Sequence, residues 1–173
     1  MTTTLAFVDT ETTGLDDRIH QPYEAAIWRE DEAEPVVLDL PHTLEYADMQ
    51  ALAIGRYFER GCAPFAADRD QQIQRRLIKL LHGATTLVGT NPGFDAGMLR
   101  RFTGTAVWHY RLINVSEGAM WLFRWDRPKG LADVVAALQA EGYEIPDPDH
   151  TAEGDVRATR AVYNALRDFR SRL

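Results

Sequence analysis

The stretch FVDTETTGL, residues 7–15, runs an apolar segment directly into two carboxylates one residue apart and then into a turn. Residues 5–8 are continuously apolar, the pattern of a strand at the centre of a sheet and buried on both faces. Strand period two then aims Asp9 and Glu11 to one face, at the carboxyl end of that strand, where α/β sheets commonly place their sites. Two like charges at this spacing repel, and partial burial adds a desolvation cost, so the pair needs a cationic partner. A buried arginine and a divalent metal both meet that need, and a structural ion pair or turn cap is the plainer alternative to a metal site. Ligation by carboxylates alone suits hard ions such as Mg2+ or Mn2+ better than zinc, and a chain whose one cysteine is Cys62 holds no cysteine cluster.

Outward from this segment, residues 23–28 and 36–40 read as further strands, separated by the acidic loop REDEAEP. Helix signals follow. Ile73, Leu77, Leu80 and Leu81 share a helical face, residues 86–88 form a short buried strand, and Phe94, Met98 and Phe102 mark another helix. Residues 107–115 contain a strand, and Ser116 is placed to cap a helix running through Trp125. Pro128-Lys129-Gly130 breaks that helix before Leu131, Val134, Val135 and Leu138 begin the next, and the last helix starts at about Ala152. Strands first, then alternating helices and strands, predict an α/β fold with a mixed sheet covered by helices.

With 173 residues and 45% hydrophobic content, the chain is expected to form a single domain, residues 1–173. A net charge of −7 argues against a broad basic surface that grips nucleic acid nonspecifically, although bound divalent cations can reverse the sign of a local acidic site. One cysteine, no basic and apolar leader, and no window approaching a membrane span predict a cytoplasmic protein without membrane attachment.

Two other segments carry candidate chemistry. In VGTNPGFDAGML, residues 88–99, Asp95 follows a buried strand and a turn, where capping the next helix is a sufficient explanation. In HTAEGD, residues 150–155, Asp155 falls in the first turn of the final helix, where it gains from the helix dipole whatever else it does, and a loop histidine such as His150 is commonly solvated. Look-alike pairs at Glu32 and Glu34, Asp68 and Asp70, and Asp147 and Asp149 lie in polar stretches suited to solvated surface.

Taken in order, these motifs resemble the DEDD-type 3'-to-5' exonucleases, in the histidine subgroup that holds polymerase III proofreading subunits and ribonuclease T. Asp9 to Leu15 match the first motif; Asn91, Phe94 and Asp95 the second; His150 and Asp155 the third. The tyrosine subgroup would have tyrosine where this chain has Thr151. Tyr23 to Ile27 and Lys129 to Leu131 echo smaller features, whereas Thr90 departs from the residue many members carry before the asparagine, which touches a minor substrate contact and not the metal ligands.

The resemblance implies an RNase H-like fold, a five-stranded mixed sheet with its second strand antiparallel and flanked by helices. It implies two Mg2+ or Mn2+ ions held by Asp9, Glu11, Asp95 and Asp155, with His150 as general base. The expected activity is release of nucleoside 5'-monophosphates from the 3' end of single-stranded DNA or RNA. Thr12, Thr13, Gly14, Leu15, Asn91 and Phe94 are the expected substrate contacts, Leu15 serving as a wedge between bases or simply packing. A noncatalytic binding module on the same fold is the competing expectation, although all five catalytic positions are filled. The short stretch after the last helix argues against polymerase docking, and homodimerisation stays open. Of the aromatics Trp108, Tyr110, Trp121, Phe123 and Trp125, most are expected in the core.

Overall fold

The computed structural model describes residues 4–65, 70–84 and 86–172, so Asp68 of one look-alike pair lies outside the described residues. Five strands form one sheet: β1 (Leu5–Thr12), β2 (Pro22–Arg29), β3 (Val36–Asp39), β4 (Thr86–Gly89) and β5 (Leu112–Asn114). Their order is β3-β2-β1-β4-β5. Strand β2 is antiparallel to both β1 and β3, whereas β4 and β5 run parallel to β1 and to each other. This is the mixed sheet that the sequence predicts.

Alternation along β1 divides the core. Leu5 and Phe7 face a layer built from helices α4 (Val115–Phe123), α5 (Leu131–Ala140) and α6 (Ala152–Arg172), with Val135, Leu138, Val156 and Val162 packed among them. Ala6 and Val8 face the opposite layer, where α2 (Asp70–Leu81) and α3 (Pro92–Thr103) contribute Leu77, Leu81 and Leu99. Each fully buried side chain of this kind contributes about 1.5–3 kcal/mol of transfer free energy, which is why the central strand is apolar on both sides.

Pairing between β1 and β4 covers only Leu5, Ala6 and Phe7, whereas pairing with β2 continues past Glu11. The carboxyl half of β1 therefore extends beyond β4 as that strand turns into α3. A crevice opens beside Asp9 and Glu11, at the point where neighbouring connections diverge.

Two local expectations are corrected and a third is narrowed. Asn114, not Ser116, caps α4, because the Asn114 side chain accepts the amides of Ser116 and Glu117 while Ser116 is already inside the helix and buried. The helix ends at Phe123, where Arg124 adopts a left-handed conformation. Strand character in residues 107–115 is confined to Leu112–Asn114, the part that reaches β4. A short helix not foreseen from sequence, α1 (Met49–Ile54), is capped by Asp48, which accepts the Gln50 amide.

Candidate active site

The site is assembled from four places. Asp9 and Glu11 project from β1, Asp155 from the first turn of α6, and Asp95 from the first turn of α3. Carboxylate oxygens of Asp9, Glu11 and Asp155 all lie within 4.8 Å of one another. Asp95 approaches from the other side of β1, where its Oδ1 accepts the Thr10 hydroxyl at 2.7 Å. Capping is therefore not what occupies Asp95; Asn91 holds the cap position of α3 and makes no side-chain cap hydrogen bond there.

The start of α6 is fixed by a chain of contacts. Thr151 Oγ1 accepts the Gly154 amide, Asp149 accepts the amide and hydroxyl of Thr151, and Asp155 Oδ1 accepts the amides of Asp149 and His150 at 3.1 and 3.2 Å. These bonds hold His150 at φ 58, a left-handed backbone that costs a non-glycine residue about 1–3 kcal/mol. One of the helix's otherwise unpaired amides, that of Ala152, is satisfied at 3.0 Å by Glu24 of β2.

Glu24 is also where the buried arginine goes. Arg60 pairs with Glu24 Oε1 at 2.5 Å, and both side chains are largely buried. Among the described residues, no arginine, lysine or histidine forms an ion pair with Asp9, Glu11, Asp95 or Asp155. Of the two partners weighed from sequence, a divalent metal is the one the geometry leaves open. Three clustered, oxygen-only ligands fit a hard cation such as Mg2+ or Mn2+.

The electrostatics agree. Burial, then the charges of Asp95, Asp155 and Glu11, push Asp9 well above the usual carboxylate range. Burial and the charges of Asp155 and Glu24 push Glu11 up to about 8, with Arg60 opposing in part. Burial raises Asp95 to about 7 against the hydrogen bonds from Thr10, and raises Asp155 against the amide of His150.

A group whose folded-state pKa is raised binds more protons folded than unfolded, so its stabilisation is complete below the ordinary pKa and is lost as pH rises through the folded value. For Glu11 that window runs from about 4.5 to about 8. In EDTA, the melting temperature is expected to fall by about 5–10 °C between about pH 5.5 and pH 8.5, the effect of a few kcal/mol in a chain of this size. Added Mg2+ is expected to restore it at the upper end. A flat or rising profile in EDTA would show that the carboxylates are not strained.

The cleft at the carboxylates has a volume of about 370 Å³. Asp9, Glu11, Asp155 and His150 line the site cleft, with Thr12, Leu15 and Phe94 beside them. Asp48, Gln50, Ala51 and Ile54 form the facing wall. Sequence reasoning missed this wall, for which the only signal was Asp48 as a cap residue ahead of a short apolar run. Leu15 is 79% exposed, so packing is not its role.

Thr13, Gly14 and Asn91 do not line the cleft. Thr13 closes the β1–β2 connection by exchanging bonds with Gln21 through its amide and hydroxyl oxygen, and Gly14 is packed so closely on the His20 ring that a β-carbon would meet it at 2.5 Å. As expected for most of the five aromatics, Trp108, Phe123 and Trp125 pack against the core, the last two stacked on each other, whereas Tyr110 and Trp121 are 76% and 79% exposed.

No family model matches the sequence, and no curated protein matches it. Solved structures do. The E. coli exonuclease I complex with a dA16 oligonucleotide superposes with a TM-score of 0.71 at 20% identity, over 99% of this chain and 42% of that one. A product-bound exonuclease I structure gives 0.72 at 20% identity, over 99% and 45%, and a zinc-bound E. coli exonuclease I complex with single-stranded DNA gives 0.72 at 20%, over 99% and 42%.

The chain has an RNase H-like fold. It spans less than half the length of these exonuclease I chains. Within the RNase H-like sheet, the carboxylate cluster sits at the end of the central strand.

Proposed function

We propose that this protein is a 3'-to-5' exonuclease of the histidine-bearing DEDD type, releasing nucleoside 5'-monophosphates from single-stranded DNA or RNA. The convergence of Asp9, Glu11 and Asp155 within 4.8 Å, with no cationic partner among the described residues, carries this proposal. The likeness to oligonucleotide-bound exonuclease I supports it.

Asp9, Glu11 and Asp155 would hold one Mg2+ or Mn2+, and Asp9 with Asp95 would serve a second. Such ions supply charge neutralisation at the phosphodiester and a more acidic water. His150, on the cleft rim, takes the proton of the attacking water on an imidazole nitrogen as that oxygen bonds to phosphorus. The bond to the 3'-oxygen breaks, and the 3'-oxygen takes a proton from solvent. Asp155 keeps the His150 backbone in place through the amide it accepts.

Leu15, Ile54 and Phe94 give the cleft apolar walls on either side of the carboxylates, suited to an unstacked terminal base. Exposed Leu15 is the wedge of this proposal, with Thr12 beside it, while Thr13, Gly14 and Asn91 act by shaping the loops that carry these contacts. Residues 1–173 act as one exonuclease domain in the cytoplasm. Among the described residues, no helix is long and apolar enough to cross a membrane.

Digestion of 5'-labelled single-stranded DNA and RNA, each with Mg2+ and with EDTA, tests the proposal. A ladder shortening from the 3' end only with metal is expected, and the preferred strand identifies the sugar. Failure to cleave either strand, by folded protein shown to bind metal, would favour the noncatalytic binding module.

A further inference from the structure

Tyr23 is 2% exposed, and its hydroxyl is buried without a hydrogen-bond partner among the described residues. Leaving such a group unpaired is destabilising, and phenylalanine at the same place would avoid the cost. The hydroxyl points at one small region. A β-carbon on Gly55 would sit 2.2 Å from Tyr23 Oη and 2.9 Å from Glu11 Oε2, so phenol and carboxylate converge on the surface of that glycine.

Gly55 ends α1 at φ −74 and ψ 3, a conformation open to any residue. Backbone geometry therefore does not require glycine there; the space taken by Tyr23 and Glu11 does. Among charged groups, Glu11 acts most strongly on the phenol, and burial with that charge raises Tyr23 well above the usual phenol range. The hydroxyl keeps its proton and meets a carboxylate only as a donor.

We infer that Tyr23 is a positioning residue for the metal site, its hydroxyl donating to the Glu11 carboxylate across the bare surface of Gly55 when Glu11 binds a cation. This rests on the metal-site reading of the carboxylates. The arrangement orients Glu11 without adding a positive charge, whereas the nearby arginine, Arg60, is committed to Glu24. Outer partners of metal ligands typically alter affinity by about 10–100-fold when removed.

Calorimetric titration with Mn2+ and thermal melting in EDTA test the inference on wild-type, Tyr23→Phe and Gly55→Ala proteins. Tyr23→Phe is expected to bind Mn2+ about 10-fold more weakly while melting in EDTA no lower than wild type, since a buried unpaired hydroxyl has been removed. Gly55→Ala is expected to lose affinity similarly, by displacing both groups. The double variant is expected to lose no more than the weaker single, because both changes break one contact.

Wild-type Mn2+ affinity in Tyr23→Phe overturns the inference and leaves the metal site standing. Lost affinity together with a lower melting temperature in EDTA marks the hydroxyl as structural, which overturns it equally. Absence of Mn2+ binding in the wild-type protein removes the metal-site reading and this inference with it.

Discussion

Replacing Asp9 with asparagine is expected to lower nucleotide release by more than about 10³-fold while raising the melting temperature of the EDTA-treated protein at pH 8. The two effects share one cause. Asp9 stands at the centre of the cluster, where burial and the charges of Asp95, Asp155 and Glu11 all oppose its ionisation. An amide of the same size removes one charge from that repulsion and one ligand from the site. Initial rates on a labelled single strand and melting curves in EDTA measure both. A variant that cleaves at the wild-type rate would refute the assignment of the site. One that loses activity but also melts lower without metal would recast Asp9 as a structural partner.

His150→Ala is expected to slow release by about 10²–10⁴-fold with Mn2+ affinity close to wild type. His150 is exposed at the rim of the cleft and is not one of the three residues whose oxygens cluster. The proposed role is therefore that of a base acting on the attacking water, not of a ligand. Parallel rate measurements and Mn2+ titration separate the two roles. Loss of metal binding in the variant would require His150 to be rewritten as a ligand, and an unchanged rate would remove it from the reaction.

Local pattern carried the site a long way. Asp9 and Glu11 face the same side because strand period two places them there, and the observed register sets Asp9 opposite Ala26 and Glu11 opposite Glu24. Asp155 falls in the first turn of the final helix, as its place in the sequence predicts, next to Val156, which is fully buried. The errors arose where neighbours decide. Ser116 and Asn114 are both competent caps, and only the point at which β5 leaves the sheet chose between them. Aromatic character likewise does not tell Tyr110, in the loop before β5, and Trp121, on α4, which stand in solvent, from Phe123 and Trp125, which pack against the core.

The amino-acid sequence by itself determined the central strand, the face that both of its carboxylates share, and the order of the segments that supply Asp95, His150 and Asp155. Those properties follow from side-chain periodicity and helix-start chemistry, which act over a few residues. Only the tertiary structure decided that Arg60 pairs with Glu24 and, among the described residues, leaves the cluster without an ion pair, that α1 supplies the facing wall, and that Gly55 makes room for Tyr23 beside Glu11. These contacts join residues far apart in the chain, and charge pairing and steric room depend on distances that exist only after the layers have packed.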